Sequence, residues 1–173
     1  MRKSVFIFVV LFLAAGSQAQ STSDMSHEHS GGDVYLGYSL LNGDTFSHAS
    51  GWEATLTGNV RDWFGLKTDF SGNYKSIAGV EGREYNVLFG PQLSFRTNRL
   101  RFFTHGLFGI AHASIDNGGP SGTGAAWVLG GGVDINLNSQ FAFRPVQLDY
   151  HGSHLFSDTQ KDARYSLGIL YRF

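Results

Sequence analysis

The chain has 173 residues and a formal net charge of -1, with 23 Gly, 3 Pro, no Cys and aromatic residues at 14%. That balance excludes the basic face expected of a nucleic-acid binder, and the length allows a single domain. Without Cys no disulfide can staple the fold, and abundant Gly and aromatics with little Pro favour strands and tight turns over a helical bundle.

The N-terminus reads as a targeting segment. Arg2 and Lys3 are positive, Val5 to Ala15 is an apolar run ended by Gly16, and Ser17-Gln18-Ala19 carries the small residues that signal peptidase reads. Residues 1–19 are therefore expected to be a signal peptide cleaved after Ala19. The run is short for a membrane anchor, and no later stretch suits a membrane helix. A membrane protein built from the remainder has to be a closed barrel, because closure alone satisfies every backbone polar group in hydrocarbon. Residues 20–32 are polar and read as a flexible lead-in to a barrel domain at 33–173.

Beyond residue 32 the hydrophobic period is 2 almost throughout. A first strand is predicted over Asp33–Leu40. The second sets Trp52, Ala54, Leu56 and Val60 against Glu53, Thr55, Thr57 and Asn59. In the third, Phe64, Leu66, Thr68, Phe70 and Tyr74 oppose Lys67, Asp69, Ser71 and Asn73. The fourth sets Tyr85, Val87, Phe89, Leu93 and Phe95 against Glu84, Asn86, Gln92 and Ser94. A fifth is predicted at Leu100–Ser114, where both faces are mixed, and a sixth at Gly124–Asn136. The seventh, Gln140–Ser153, contains Pro145, which calls for a bulge and accounts for Arg144 standing out of phase with Gln147 and Asp149. The last runs from Ala163 to Phe173, with Arg164, Ser166, Gly168, Leu170 and Arg172 on its second face.

Eight strands are an even number, as a closed antiparallel wall requires. The connections are expected to alternate in length. Longer ones are placed at Leu41–Gly51, Lys75–Gly82, Ile115–Thr123 and His154–Asp162; shorter ones lie near Arg61–Trp63, Arg96–Arg99 and Asn136–Ser139. That alternation fits long outer loops and tight periplasmic turns, with both termini periplasmic.

Eight strands also describe soluble lipocalins, so the position of the charges decides. The apolar face is rich in aromatics near strand ends, as membrane girdles require. Trp52, Tyr74, Tyr85, Trp127 and Tyr165 are assigned to the outer girdle; Trp63, Phe95, Phe103, Tyr171 and Phe173 are assigned to the inner one. Glu53, Lys67, Asp69, Glu84, Asp134, Asp149, Arg164 and Arg172 are assigned to a charge network inside the lumen. The inverted arrangement would expose a broad apolar band to water.

With its C-terminal Tyr165-x-Leu167-x-Ile169-x-Tyr171-x-Phe173, the mature chain resembles the OmpA-like small outer-membrane barrels, the outer-membrane protein β-barrel domain family. The resemblance implies an integral outer-membrane protein in contact with its lipids. It also implies that the C-terminal stripe is the signal read by the barrel-assembly machinery, and that outer loops are free to diverge. A non-enzymatic monomer serving envelope structure or surface interaction is the expected role, with an extracellular ligand held by loops that carry Phe46 and Phe156.

Other chemistry is thinly supplied. An eight-stranded lumen is filled by its own side chains, so a narrow channel ranks behind a structural role. His27-Glu28-His29 lacks further ligands, and neither metal nor cofactor is expected. His151 and Ser153 share a strand face, with Asp158 or Asp162 near enough to orient the imidazole. This spacing is similar to the His-x-Ser of outer-membrane lipid A deacylases, but the strand phase points His151 inward, away from the leaflet. Gly130-Gly131-Gly132 lacks the helix and Lys of a phosphate loop. Inner-face glycines are expected to let Phe108 or Tyr35 cross the lumen.

Overall fold

The computed structural model describes residues 31–43, 49–77, 80–115, 121–155 and 158–173. The segment expected to be a signal peptide, His27-Glu28-His29, Phe46 and Phe156 lie outside these residues. Gly32, assigned to the polar lead-in, already belongs to the wall.

The strands, in chain order, are β1 Gly32–Gly43, β2 Ala49–Arg61, β3 Phe64–Ile77, β4 Val80–Arg96, β5 Leu100–Ile115, β6 Ser121–Asn136, β7 Phe141–Leu155 and β8 Asp158–Arg172. Each pairs antiparallel with the next and β8 returns to β1, giving an eight-stranded closed barrel. The wall is staggered where it closes. From Ser39 the pairing passes through Gly51, Asn73 and Glu84 to Ala113 in one direction. In the other it passes through Ser166, Gln147 and Gly132 to Phe103. The two routes meet β5 ten residues apart, at 113 and 103, which is the shear that tilts the strands.

The alternation sorts the faces as the period of 2 demands. Glu53, Thr55 and Thr57 are buried while Trp52, Leu56 and Val60 are exposed. Two aromatics on β5 depart from the sequence reading. Phe103, assigned to the inner girdle, is 6% exposed and turned inward, and Phe108, assigned to the lumen, is 70% exposed on the outer surface. Phe102 and Phe103 are adjacent, so hydropathy cannot choose between their faces; cross-strand pairing does. Phe102 lies opposite the outward Phe95, and Phe103 lies opposite Gly132, which leaves room for its ring. Tyr35 does lie in the lumen, its hydroxyl where a Cβ on Gly37 would be.

The bulge expected at Pro145 is present, as a register shift between Arg144 and Gln147 that leaves both side chains buried. Strand approach is also close at other glycines. A Cβ on Gly109 would stand 2.0 Å from the Val87 carbonyl oxygen, and one on Gly168 2.2 Å from that of Leu36. No larger residue fits there without parting the strands.

Two of the four connections expected to be long are short. β3 runs to Ile77 and β4 begins at Val80, while β7 runs to Leu155 and β8 begins at Asp158. The intervening segments are then 78–79 and 156–157, no longer than 62–63 or 97–99 at the other end. Beyond the aromatic girdle both faces of a hairpin meet water. Apolar alternation is not required there, and polar, Gly-rich sequence still pairs as strand.

Candidate functional site: the barrel lumen

The lumen holds two ionic layers. Near the end where β1 begins, Asp134 on β6 accepts from Arg101 Nε at 2.8 Å and from Arg144 Nε at 2.7 Å. Arg101 also donates to Asp33 at the start of β1. Arg172 approaches Asp33 at 3.5 Å from the rim. The Arg144 guanidinium lies 4.3 Å from the Tyr35 ring centre and 4.1 Å from that of Phe103. Planar, weakly hydrated guanidinium tolerates such contact well.

The second layer is organised by Arg164 of β8, which reaches across to β3. Its Nη2 lies 2.7 Å from Asp69 Oδ2 and 2.7 Å from Asp149 Oδ2, and its Nη1 donates to Ser71 Oγ at 2.9 Å. Glu53 is 3.6 Å from Arg164 and 3.8 Å from Lys67. His105 Nε2 stands 3.1 Å from Asp149. Gln147, placed by the bulge, joins the layers: it accepts from Arg144 at 2.6 Å and donates to Glu53 at 2.8 Å. Removing charges from water is costly, and multiple charge-assisted hydrogen bonds per group offset that cost.

Of the residues assigned to the network from sequence, Glu53, Lys67, Asp69, Asp134, Asp149 and Arg164 are brought together. Arg172 stands at the rim. Glu84 faces inward but apart from both layers, hydrogen-bonded to Asn86 at 3.0 Å. Asp33, Arg101, Arg144 and His105 were missed. Arg144 needed the bulge to set its phase, and Arg101 and His105 lie on β5, whose faces are mixed in the sequence. Asp33 does share a phase with Tyr35 and Ser39, a signal that was available.

His151, Ser153 and Asp162 are all buried on the lumen side, His151 directly opposite Asp162 across β7 and β8. The leaflet side of β7 carries Leu148 and Tyr150 instead. The pair cannot reach a lipid acyl chain. Among the described residues no group of three or more His, Asp or Glu could hold a metal ion.

The outer surface is apolar and aromatic. Trp52 Nε1 donates to the Tyr74 hydroxyl, which meets that of Tyr85, both at 3.3 Å. Trp52 covers Gly72, and Trp127 covers Gly152, on the neighbouring strand, a pairing in which the ring protects backbone that glycine leaves bare. Tyr165, Leu167, Ile169, Tyr171 and Phe173 form one exposed stripe along β8. The Phe173 backbone exchanges two 3.0 Å hydrogen bonds with Gly32, which ends the closing seam.

A closed wall with an apolar exterior and a charged interior is the design of a membrane barrel. The sequence matches the outer membrane protein beta-barrel domain over residues 6–173. The chain belongs to this family. Among solved structures, this outer membrane protein beta-barrel domain is similar to Neisserial surface protein A, with a TM-score of 0.70 at 15% identity, covering 83% of this chain and 98% of that one. It is also similar to Ail, the attachment invasion locus protein of Yersinia pestis, with a TM-score of 0.58 at 20% identity, covering 84% and 100%. The N-terminal barrel of Pseudomonas aeruginosa OprF gives a TM-score of 0.56 at 11% identity, covering 83% and 98%. No curated protein sequence matches. The chain is an integral outer-membrane β-barrel.

Proposed function

We propose that this barrel is a side-chain-filled scaffold, contributing to envelope structure and presenting its outer hairpins for surface interaction. The observation that carries the reading is the pair of ionic layers: Arg164 alone spans from β8 to β3, and Arg144 to Gln147 to Glu53 links the layers along the axis. An eight-stranded wall leaves little room around such a cross-brace. Purified protein in planar lipid bilayers should give no ohmic conductance steps. Reproducible steps from the folded monomer would favour the narrow channel instead.

Both termini face the periplasm in this reading, with residues 1–19 removed on export. The closed wall leaves no free strand edge for a second copy, which supports a monomer. The β8 stripe ending at Phe173 is the assembly signal, and Phe173 also completes the seam with Gly32. Deleting Phe173 should reduce the heat-modifiable, membrane-inserted fraction severalfold in cells, as read by unboiled gels of outer-membrane fractions; unchanged yield would refute the signal.

Ail has been solved with the heparin analogue sucrose octasulfate. The strand ends away from the start of β1 carry Lys75, Arg83 and Lys161, and the sequence of the same strands also supplies Glu81 and Asp158. This mixed charge does not favour a polyanion, so the ligand is left as one recognised by hairpin shape and polarity. Cells displaying the chain should lose surface adhesion when residues 44–48 and 116–120 are replaced by Gly-Ser. Unaltered adhesion would leave envelope structure as the role.

A further inference from the structure

The lumen beyond the ionic layers, toward the end away from the N-terminus, is built differently. Along β5 and β6 its wall is small and apolar: Ala111, Ala113 and Ala126 are buried with Leu107 and Val128 beneath them. The flanking strands β4, β7 and β8 carry Glu84, Asn86, His151, Ser153 and Asp162, each at most 3% exposed. Glu84 Oε2, Asn86 Oδ1, both ring nitrogens of His151 and Ser153 Oγ have no hydrogen-bond partner. The internal bond from Asn86 Nδ2 to Glu84 Oε1 uses the other atom of each group. Buried polar atoms are normally satisfied, so a cluster of orphans at one level of one lumen asks for an occupant. Alanines on the adjoining strands keep the side chains at this level small.

The orphans also state the occupant's chemistry. A carboxylate oxygen and an amide oxygen accept only, and a neutral imidazole and a hydroxyl can each accept. Glu84 and Asp162 are close enough to repel one another, and among the described residues no cation forms an ion pair with Glu84. We infer that this end of the lumen, away from the start of β1, binds a small organic cation rich in N–H donors, an ammonium or guanidinium group. Glu84 is its counter-ion, Asn86 Oδ1, Ser153 Oγ and an imidazole nitrogen of His151 accept its hydrogen bonds, and the alanine wall takes its apolar part. The His151/Ser153 pair, inert toward lipid, thereby acquires a binding role. The inference is independent of which way the barrel sits in the membrane.

The test uses the full mature chain, labelled with 15N-histidine, folded in lipid nanodiscs and titrated with agmatine at constant ionic strength. The His151 ring signals, assigned with His151→Gln, should shift saturably. Glu84→Gln, shown to fold by its heat-modifiable band, should weaken binding by about tenfold or more. If Glu84→Gln does not fold, Ser153→Ala serves, with an expected weakening of about threefold. The inference is overturned by the absence of saturation up to about 50 mM agmatine, by unchanged affinity in the folded variant used, or by an equal response to acetate. In each of those cases ordered water is the occupant.

Discussion

Arg164→Met is expected to destabilise the folded barrel by about 3–5 kcal/mol, the cost of breaking a buried charge cluster from one side. Arg164 holds Asp69 and Asp149 at 2.7 Å each and lies 3.6 Å from Glu53. Without it, three buried carboxylates are left with Lys67, 3.8 Å from Glu53, as the nearest other Lys or Arg among the described residues of that layer. Met matches the stem of Arg and leaves the packing nearly intact, so the loss reports charge. Equilibrium unfolding in urea from lipid vesicles, followed by fluorescence of Trp52, Trp63 and Trp127, measures it. Adding Asp69→Asn to Arg164→Met should recover part of the loss, because one orphaned carboxylate is then neutral. A loss under about 1 kcal/mol would mean that water reaches the layer and that the cross-brace is not closed.

The fold was legible in this sequence because lipid and lumen are such different solvents. A strand with hydrocarbon on one side and a polar interior on the other writes its orientation at every second residue, as Trp52 to Val60 does. Legibility failed where that contrast weakens. On β5 the lumen is partly apolar, with Phe103, Leu107 and Ala111 inside, so both faces look alike and Phe103 and Phe108 were exchanged. Where β3 ends and β4 begins the sequence is polar and Gly-rich without apolar alternation, so paired strand at Lys75–Ile77 and Val80–Gly82 reads as loop. The charge network was half visible: residues in phase with a clean alternation were found, while Arg101 and Arg144 waited on pairing and bulge geometry. Arg144 shows the general point, since Pro145 announces the bulge but only the register tells which side chains it returns to the lumen.

The same contrast of solvents sets the second large effect. Leu36 is 63% exposed on β1 and lies opposite Ile169, which is midway along β8 between Tyr165 and Phe173. Leu137 is comparably exposed, at 65%, but belongs to the turn between β6 and β7. Exposure alone would make arginine equally tolerable at both. In a bilayer it does not: Leu36→Arg should cost about 2–4 kcal/mol, because the guanidinium meets hydrocarbon far from either interface, and Leu137→Arg about 0–1 kcal/mol, because it sits at headgroup depth. Both are read by urea unfolding from vesicles of one lipid composition. Thinner bilayers should shrink the difference, since the Leu36 side chain then snorkels a shorter distance to water. Equal costs at the two positions would mean that the Leu36 stripe does not face lipid. The charged interior would then have to be re-read as the packing of a soluble barrel.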